Sequence, residues 1–411
     1  MSGLTQTTRI GDSKLSRLLG MNLRSNPEFE LVELLRFSDA ERQTFDKLKE
    51  DGSCFGVLRP TQGSSLTMKS VCKETALVFY AMTKVGPLPH FLCEELARDG
   101  SNGTQLVAEL VLDGVLELQT DQGFVSGAAA FPFLYDNQQP LDNQSHLAKI
   151  SLAAIQLGQR LFSDEPMRVS AFMYFYNRNP VTPRLQRALH TDTAYEQFLG
   201  LERGGACAQV LQDNWEFTPL GPTQTGWRSW TAKKKKRLSR GTKAGFKLYF
   251  SPTCESLPAC LPTFIRTLTE LAVPYFKIGA DLPGLCRPDK IVAYFNSFDH
   301  VQEVGRAVAE AVGDVTVQGV PFSADLFGNG LLSWGIDPKE MPALEGQEVA
   351  SWRLWITNHI ARSVLQCKGD QHATMEPWQY SLDRLRLEGI DTETWTPTDT
   401  FEQRRRERNV T

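Results

Sequence analysis

The sequence has few of the features that direct a protein to a membrane, to export or to nucleic acid. No apolar run approaches the roughly 20 residues that a membrane span needs. The polar segment 1–24 has no apolar centre of the kind found in signal peptides. The formal net charge is −4, so no overall positive field favours nucleic acid. We therefore expect a cytoplasmic protein with no membrane partner and no nucleic-acid partner.

Motifs for metal, redox and nucleotide chemistry are also missing. The eight cysteines are scattered and form no Cys-x-x-Cys pair, a pattern that argues against a zinc or redox motif and favours reduced thiols. The chain contains no Gly-x-x-x-x-Gly-Lys-Ser/Thr loop, no kinase catalytic loop and no Gly-x-Ser-x-Gly elbow. We expect no cofactor and no metal, so any chemistry must come from ordinary side chains.

The length of 411 residues predicts two or three domains. The patterns described below predict the α+β class, with these divisions: an N-terminal arm (1–60), a winged-helix-like module (61–135), a poorly defined middle region with a basic loop at 233–243 (136–242), an α+β domain (243–370) and a C-terminal tail (371–411).

The segment 61–135 has the pattern of three helices followed by a hairpin. Helices are predicted at about 73–84, at about 89–98 and after Ser101, and a hairpin at about 115–125. This order is typical of winged-helix modules, which serve as structural wings, dock peptides or bind DNA. The third helix has no Lys or Arg to meet phosphates, so DNA is the least favoured of these roles. A further amphipathic helix is predicted near 39–51 in the arm.

The segment 243–322 alternates between strand and helix patterns. Strands are predicted at 246–251, 275–279, 290–295 and 316–320, and helices at about 261–272 and 299–312. The order βαββαβ is a split βαβ arrangement, in which both helices pack on one face of an antiparallel sheet. A helix is also predicted at 351–366.

Strand alternation separates the side chains of this sheet into two faces. The apolar side chains point toward the helices, whereas Lys247, Tyr249, Tyr275 and Lys277 point to the other, open face. Cations and phenols on one surface suit an anion such as phosphate, although lysines and tyrosines are also common on solvated sheet faces.

Other polar residues lie close to this face in sequence. Arg287 and Lys290 lie in the turn before the third strand, and Tyr294 lies in that strand. The basic run at 233–237 is interpreted as a solvated loop or as a segment that folds over the same face.

Residues 245–366 resemble a known family. The runs "FKLYFSP", "FIRTLTELAVPYFKIG", "LCRPDKIVAYF" and "GVPFSADLFGNGLLSWGIDP" are similar to the HopA effector family, which includes the stand-alone lyases of class V lanthipeptide and thioamitide biosynthesis. More remotely, the same order resembles the lyase domain of class III lanthipeptide synthetases and the phosphothreonine lyases of bacterial effectors.

The resemblance implies a β-elimination of phosphate from phosphorylated Ser or Thr in a ribosomally made peptide. Lys277 matches the base, Lys247 a phosphate-contacting lysine and Arg287 a phosphate-binding arginine, with Tyr294 near it. Tyr249 lies where those lyases have a histidine acid.

Like Tyr249, Trp334 departs from the pattern, because the class III pattern has an arginine at this position.

The resemblance also implies that a separate kinase would phosphorylate the substrate and that segment 61–135 would dock a leader peptide. Two alternatives remain: a protein that binds phosphopeptides or partners through the same face without turnover, and a scaffold in which 61–135 contacts DNA or protein.

Overall fold

The protein has an α+β fold. The computed structural model describes residues 12–18, 20–38, 54–64, 66–98, 103–121, 123–136, 144–218, 226–233, 245–338, 351–399 and 401. The strands are β1 (Leu23–Ser25), β2 (Phe29–Glu33), β3 (Cys54–Pro60), β4 (Lys69–Cys72), β5 (Leu116–Thr120), β6 (Gly123–Val125), β7 (Trp215–Phe217), β8 (Trp227–Ala232), β9 (Phe246–Phe250), β10 (Tyr275–Gly279), β11 (Ile291–Phe295), β12 (Ala324–Asp325), β13 (Leu332–Ile336), β14 (Ile390–Asp391) and β15 (Thr396–Pro397).

Helices occur between these strands along the whole described chain. They are α1 (Asp12–Leu18), α2 (Lys73–Ala81), α3 (His90–Arg98), α4 (Gly103–Leu112), α5 (Gly127–Leu134), α6 (His146–Gly158), α7 (Pro166–Tyr174), α8 (Pro183–Ala188), α9 (Asp192–Leu199), α10 (Ala208–Asn214), α11 (Leu257–Glu270), α12 (Leu282–Leu285), α13 (Phe298–Val312), α14 (Trp352–Gly369) and α15 (Pro377–Leu387), with short 3-10 turns at Leu34–Arg36 and Cys254–Ser256. No helix among the described residues has both the length and the apolar character needed to cross a membrane.

The central element is a seven-stranded antiparallel sheet with the order β12-β13-β9-β11-β10-β8-β7. The predicted strands at 246–251, 275–279 and 290–295 are confirmed as β9, β10 and β11. Strands β7 and β8 come from the segment that the sequence assigned to the middle region, and they extend the sheet beyond β10. The division at residue 242 therefore cuts through this sheet.

The predicted fourth strand at 316–320 is wrong. In that segment only Val317 makes a bridge, to Pro252, and the strand that pairs with β9 is β13. Gly313 and Gly319 both have positive φ, and Pro321 has no N–H for a ladder, so the segment between them is too interrupted to form a strand.

One face of the sheet carries the apolar core, as predicted. Helices α11 and α13 pack on it, with the Phe250 ring stacked on Phe264 at 4.5 Å and the Phe298 ring 4.4 Å from Trp334. The apolar side chains of the central strands alternate toward these two helices, because successive strand residues point to opposite faces.

The N-terminal part of the chain contains the predicted helices and hairpin of segment 61–135 as α2, α3, α4, β5 and β6. Strand β1 pairs with β5 and makes a three-stranded sheet, while β2, β3 and β4 form another. The winged-helix assignment remains a prediction. The helix predicted near 39–51 lies outside the described residues, as does the basic run after Lys233.

The C-terminal tail contributes to the packing more than the sequence indicated. Helix α15 packs along α14, and Tyr380 of α15 lies in the same core cluster as Cys367 and the N-terminal helices. The predicted helix at 351–366 is confirmed as α14, and its first residue, Trp352, is fully buried.

Gly335 provides a test of how closely α14 approaches the sheet. A Cβ atom at this position would lie 2.6 Å from Cδ1 of Trp352, a contact that real side chains do not make. We expect Gly335→Ala to lower the free energy of unfolding by about 1–3 kcal/mol through overpacking. Thermal or denaturant unfolding measures this loss. The matched control is Gly369→Ala, where no atom lies within 4 Å; equal stability of both variants would contradict the packing described.

Candidate functional site

The register of the sheet brings the predicted site residues into two adjacent rows on the face opposite α11 and α13. The first row contains Ser333, Tyr249, Val292, Lys277 and Ser229 from successive strands, and the second contains Gly335, Lys247, Tyr294, Tyr275 and Thr231. Alternation in β9 and β10 was therefore enough to predict that the two lysines share a face.

This face is less open than predicted. Tyr249 is 3% exposed and Lys247 is 7% exposed, whereas Lys277 and Tyr294 are half-buried. Tyr249 packs beside Val320, and the side chain of Trp352 lies against Gly335. The expectation of a solvated sheet face is therefore corrected: part of it is covered by the segment around Val320 and by the start of α14.

The ammonium of Lys247 is paired with Asp337. Its Nζ lies 2.7 Å from Oδ1 and 2.6 Å from Oδ2 of the carboxylate, and Oδ1 also accepts a hydrogen bond from the backbone N–H of Trp352 at 3.1 Å. Asp337 thereby ties the end of β13 and the start of α14 to the lysine. A Lys ammonium has three donors, so Lys247 keeps capacity for a further acceptor.

Arg287 is held by a buried carboxylate. Its Nε and Nη2 donate to Asp289 at 2.9 and 3.0 Å, Arg353 pairs with the same carboxylate at 2.8 Å, and the Tyr174 hydroxyl donates to it at 3.2 Å. Burial alone would raise the pKa of Asp289, but Arg287 and Arg353 lower it far below its usual range. The carboxylate stays ionised and fixes the direction of the guanidinium.

Two glycines explain how Arg287 comes near the sheet. A Cβ on Gly279 would lie 2.4 Å from the backbone carbon of Gly284, so the turn that contains α12 lies directly against the end of β10. Only a residue without a side chain permits this approach. The chain therefore turns back at the end of β10, and Arg287 lies beside the row that contains Lys277.

Lys277 is in a different electrostatic position from the other cations. No carboxylate of the described residues lies within salt-bridge distance of it, and its Nζ lies 4.1 Å from the ring centre of Trp227 and 5.7 Å from that of Tyr294. Burial, together with the positive charge of Lys247, lowers the pKa of Lys277 to about 8. A measurable fraction of the amine is consequently neutral near physiological pH and able to accept a proton.

Tyr249, the predicted acid, is fully enclosed. Burial raises the pKa of its hydroxyl well above the usual value, and the Asp337 carboxylate raises it further. Burial also raises the pKa of Tyr294. Both phenols therefore stay protonated over the physiological range and act as hydrogen-bond donors more readily than as proton donors.

Two residues singled out from the sequence do not expose a side chain on this face. Lys290 is fully buried, and its Nζ donates to the Pro252 carbonyl at 2.7 Å and to the Gln318 amide oxygen, so its ammonium is enclosed by protein. Burial lowers the pKa of Lys290 to about 7. Trp334 lies on the opposite, helix-packed face, so its difference from an arginine does not alter the lysine rows directly.

Sequence reasoning missed the residues that surround the predicted ones. They are Asp289 and four residues from segments remote in the chain: Tyr174, Trp227, Asp337 and Arg353. Only Asp289 had a local signal, because it lies two residues after Arg287 in the same turn.

Comparison with known proteins gives structural likenesses only. No family model and no curated protein matches the sequence. The fold is similar to that of an effector protein from Pseudomonas syringae pv. syringae strain 61, with 13% identity over 61% of this chain and 98% of that chain and a TM-score of 0.36. An effector protein from Pseudomonas syringae pv. tomato strain DC3000 gives 12% identity over the same shares and a TM-score of 0.34.

A phosphothreonine lyase is also among the structural neighbours. The type III effector and phosphothreonine lyase OspF from Shigella flexneri is 10% identical over 37% of this chain and 84% of that chain, with a TM-score of 0.25.

The environment of Lys277 can be tested without any substrate. We expect Lys247→Met to raise the pKa of Lys277, because a neighbouring positive charge is removed, and Asp337→Asn to lower it, because a negative charge is removed. An NMR titration of the lysine amino groups measures both shifts. Shifts of the same sign in the two variants would show that the electrostatic description is wrong.

Proposed function

We propose that this chain is a lyase that eliminates phosphate from phosphorylated Ser or Thr of a peptide. In this reaction the amine of Lys277 takes the proton from Cα, the electron pair forms the Cα–Cβ double bond, and the Cβ–O bond breaks so that phosphate leaves with its electrons. The product is a dehydroamino acid. No bond to the enzyme forms, so the reaction needs only a base and groups that neutralise the leaving phosphate.

The proposal rests on the burial of Lys277 and on its lowered pKa. An α-proton beside an amide is a weak acid, so the base must be desolvated and partly neutral to remove it. Lys277 is half-buried, its pKa is lowered to about 8, and two further cations are among the causes of that shift. Its position in "PYFKIG" also matches the base in the sequence resemblance.

The charges around Lys277 suit a phosphate dianion. Lys247, Arg287 and Arg353 outnumber the carboxylates Asp289 and Asp337 that partner them, even when Lys277 is neutral. A phosphate on this face would share Lys247 with Asp337 and Arg287 with Asp289. Guanidinium and ammonium groups fixed in this way stabilise the charge that develops on the leaving oxygen.

The enclosed position of Tyr249 bears on how phosphate departs. The pKa of the Tyr249 phenol is raised well above its usual value, so this phenol is a poor proton donor. The positive charges of Lys247 and Arg287 therefore assist the leaving phosphate more than proton transfer from Tyr249 does. Tyr249 thus occupies the position that the acid has in the lyases that this chain resembles, but it contributes mainly a hydrogen bond.

A separate kinase would supply the phosphorylated peptide, and segment 61–135 would bind its leader.

A second candidate function is phosphopeptide binding without turnover. The burial of Tyr249 and the close pairing of Lys247 with Asp337 favour it, because both reduce what the face offers to a leaving phosphate. The two functions differ in a single respect, which is whether the mass of the bound peptide changes.

Mass spectrometry of phosphothreonine and phosphoserine peptides distinguishes these functions. With the unmutated protein we expect loss of one phosphoric acid from the peptide, and with Lys277→Ala no loss, because the base is gone. The control is Lys149→Ala, which removes an exposed lysine of α6. Tight binding of an unchanged peptide would establish the binding function instead, and full activity of Lys277→Ala would exclude Lys277 as the base.

The pH dependence follows from the lowered pKa of Lys277. Only the neutral amine accepts a proton, so kcat/KM rises by about tenfold per pH unit below pH 8 and levels above it. Lys247→Met moves this rising part of the pH profile, its acid limb, to higher pH, because the neighbouring positive charge that lowers the pKa of Lys277 is lost. A flat profile through this range, measured with a peptide whose phosphate stays dianionic, would be inconsistent with a lysine base.

A further inference from the structure

Trp227 contacts both of the cations that the proposed elimination uses most directly. The Nζ of Lys277 lies 4.1 Å from its ring centre, and Cζ of Arg287 lies 4.7 Å from it. Both distances are within the range in which a cation is attracted to the negative face of an aromatic ring, and tryptophan is the strongest such partner.

The sheet register explains this position. Trp227 begins β8 and pairs with Gly279, and Ser229 of the same strand pairs with Lys277. Residues two apart in a strand share a face, so the indole lies on the lysine face. The close contact of Gly279 with Gly284 then brings the chain that leads to Arg287 over the same end of β10.

Like charges repel, so an arrangement with Lys277 and Arg287 close together needs a group that attracts both. Arg287 has Asp289 as its partner. Lys277 has no carboxylate of the described residues within salt-bridge distance, and the Tyr294 ring is farther from it than the indole. Of the two aromatic rings of the described residues that attract this ammonium, that of Trp227 is therefore the nearer.

We infer that Trp227 is a positioning residue for the elimination, which holds the base Lys277 and the phosphate-binding Arg287 on one ring so that both reach the same phosphorylated residue. This inference rests on the proposed lyase function. The indole itself takes no proton and forms no bond. It also lies against the amine of Lys277, whose side chain is half-buried.

The test compares Trp227→Leu, which keeps an apolar cover but removes the ring, with Trp227→Phe, which keeps a weaker ring. We expect kcat to fall roughly tenfold in the leucine variant and less in the phenylalanine variant. Loss of the ring also destabilises the ammonium, so the acid limb of kcat/KM moves to lower pH in Trp227→Leu.

The matched control is Trp230→Leu in the same strand. Trp230 lies on the opposite face, stacked on Phe276 with ring centres 5.2 Å apart, so its loss weakens the core without touching the lysines. We expect lower thermal stability and an unmoved pH limb. If Trp227→Leu behaves as this control does, with reduced stability and an unchanged limb, the indole is only structural and the inference is wrong.

An NMR titration of Lys277 separates this inference from the proposed function. A lower pKa of Lys277 in Trp227→Leu than in the unmutated protein supports the positioning contact, even if no peptide loses phosphate. An unchanged pKa of Lys277 overturns the inference, even if the unmutated protein eliminates phosphate readily.

Discussion

The buried carboxylate of Asp289 is the interaction on which the site depends. It joins the turn before β11 to α14 through Arg353 and to α7 through Tyr174, and it directs Arg287 toward the lysine face. Removing one member of a buried charge cluster leaves an uncompensated charge, so such a cluster tolerates loss of a partner poorly. The geometry of the Arg287 guanidinium is thus set by segments more than a hundred residues apart in sequence.

Sequence patterns predict the parts of this site that lie within one strand, but not the contacts that join distant segments. The alternation in β9 and β10 is local, and it placed Lys247 and Lys277 on one face correctly. The pairings of these cations with Asp337 and with the Trp227 ring join distant segments, and no local pattern specifies them. The sheet shows the same limit, because β7 and β8 lie before a loop that resembled a domain boundary.

The errors also have physical causes. A βαββαβ order predicts a fourth strand immediately after the second helix, but glycines with positive φ and a proline interrupt that segment, and β13 takes its place. Trp334 was singled out because the class III pattern has an arginine there, yet it pairs with Leu248 and so lies on the helix-packed face, since successive strand residues point to opposite faces. Burial of Tyr249 depends on Val320, a residue that periodicity assigned to a strand.

The protonation of Lys290 makes the stability of the folded chain depend on pH. In the unfolded chain its amine titrates at its ordinary value, whereas in the folded chain burial lowers the pKa to about 7. Between these two values the unfolded chain holds a proton that the folded chain releases, so the contribution of Lys290 to stability increases with pH across this window and is lost as pH falls through it. Acidification toward neutrality therefore lowers the free energy of unfolding, because the folded chain must then hold the charged Lys290 between β11 and the segment at 316–320.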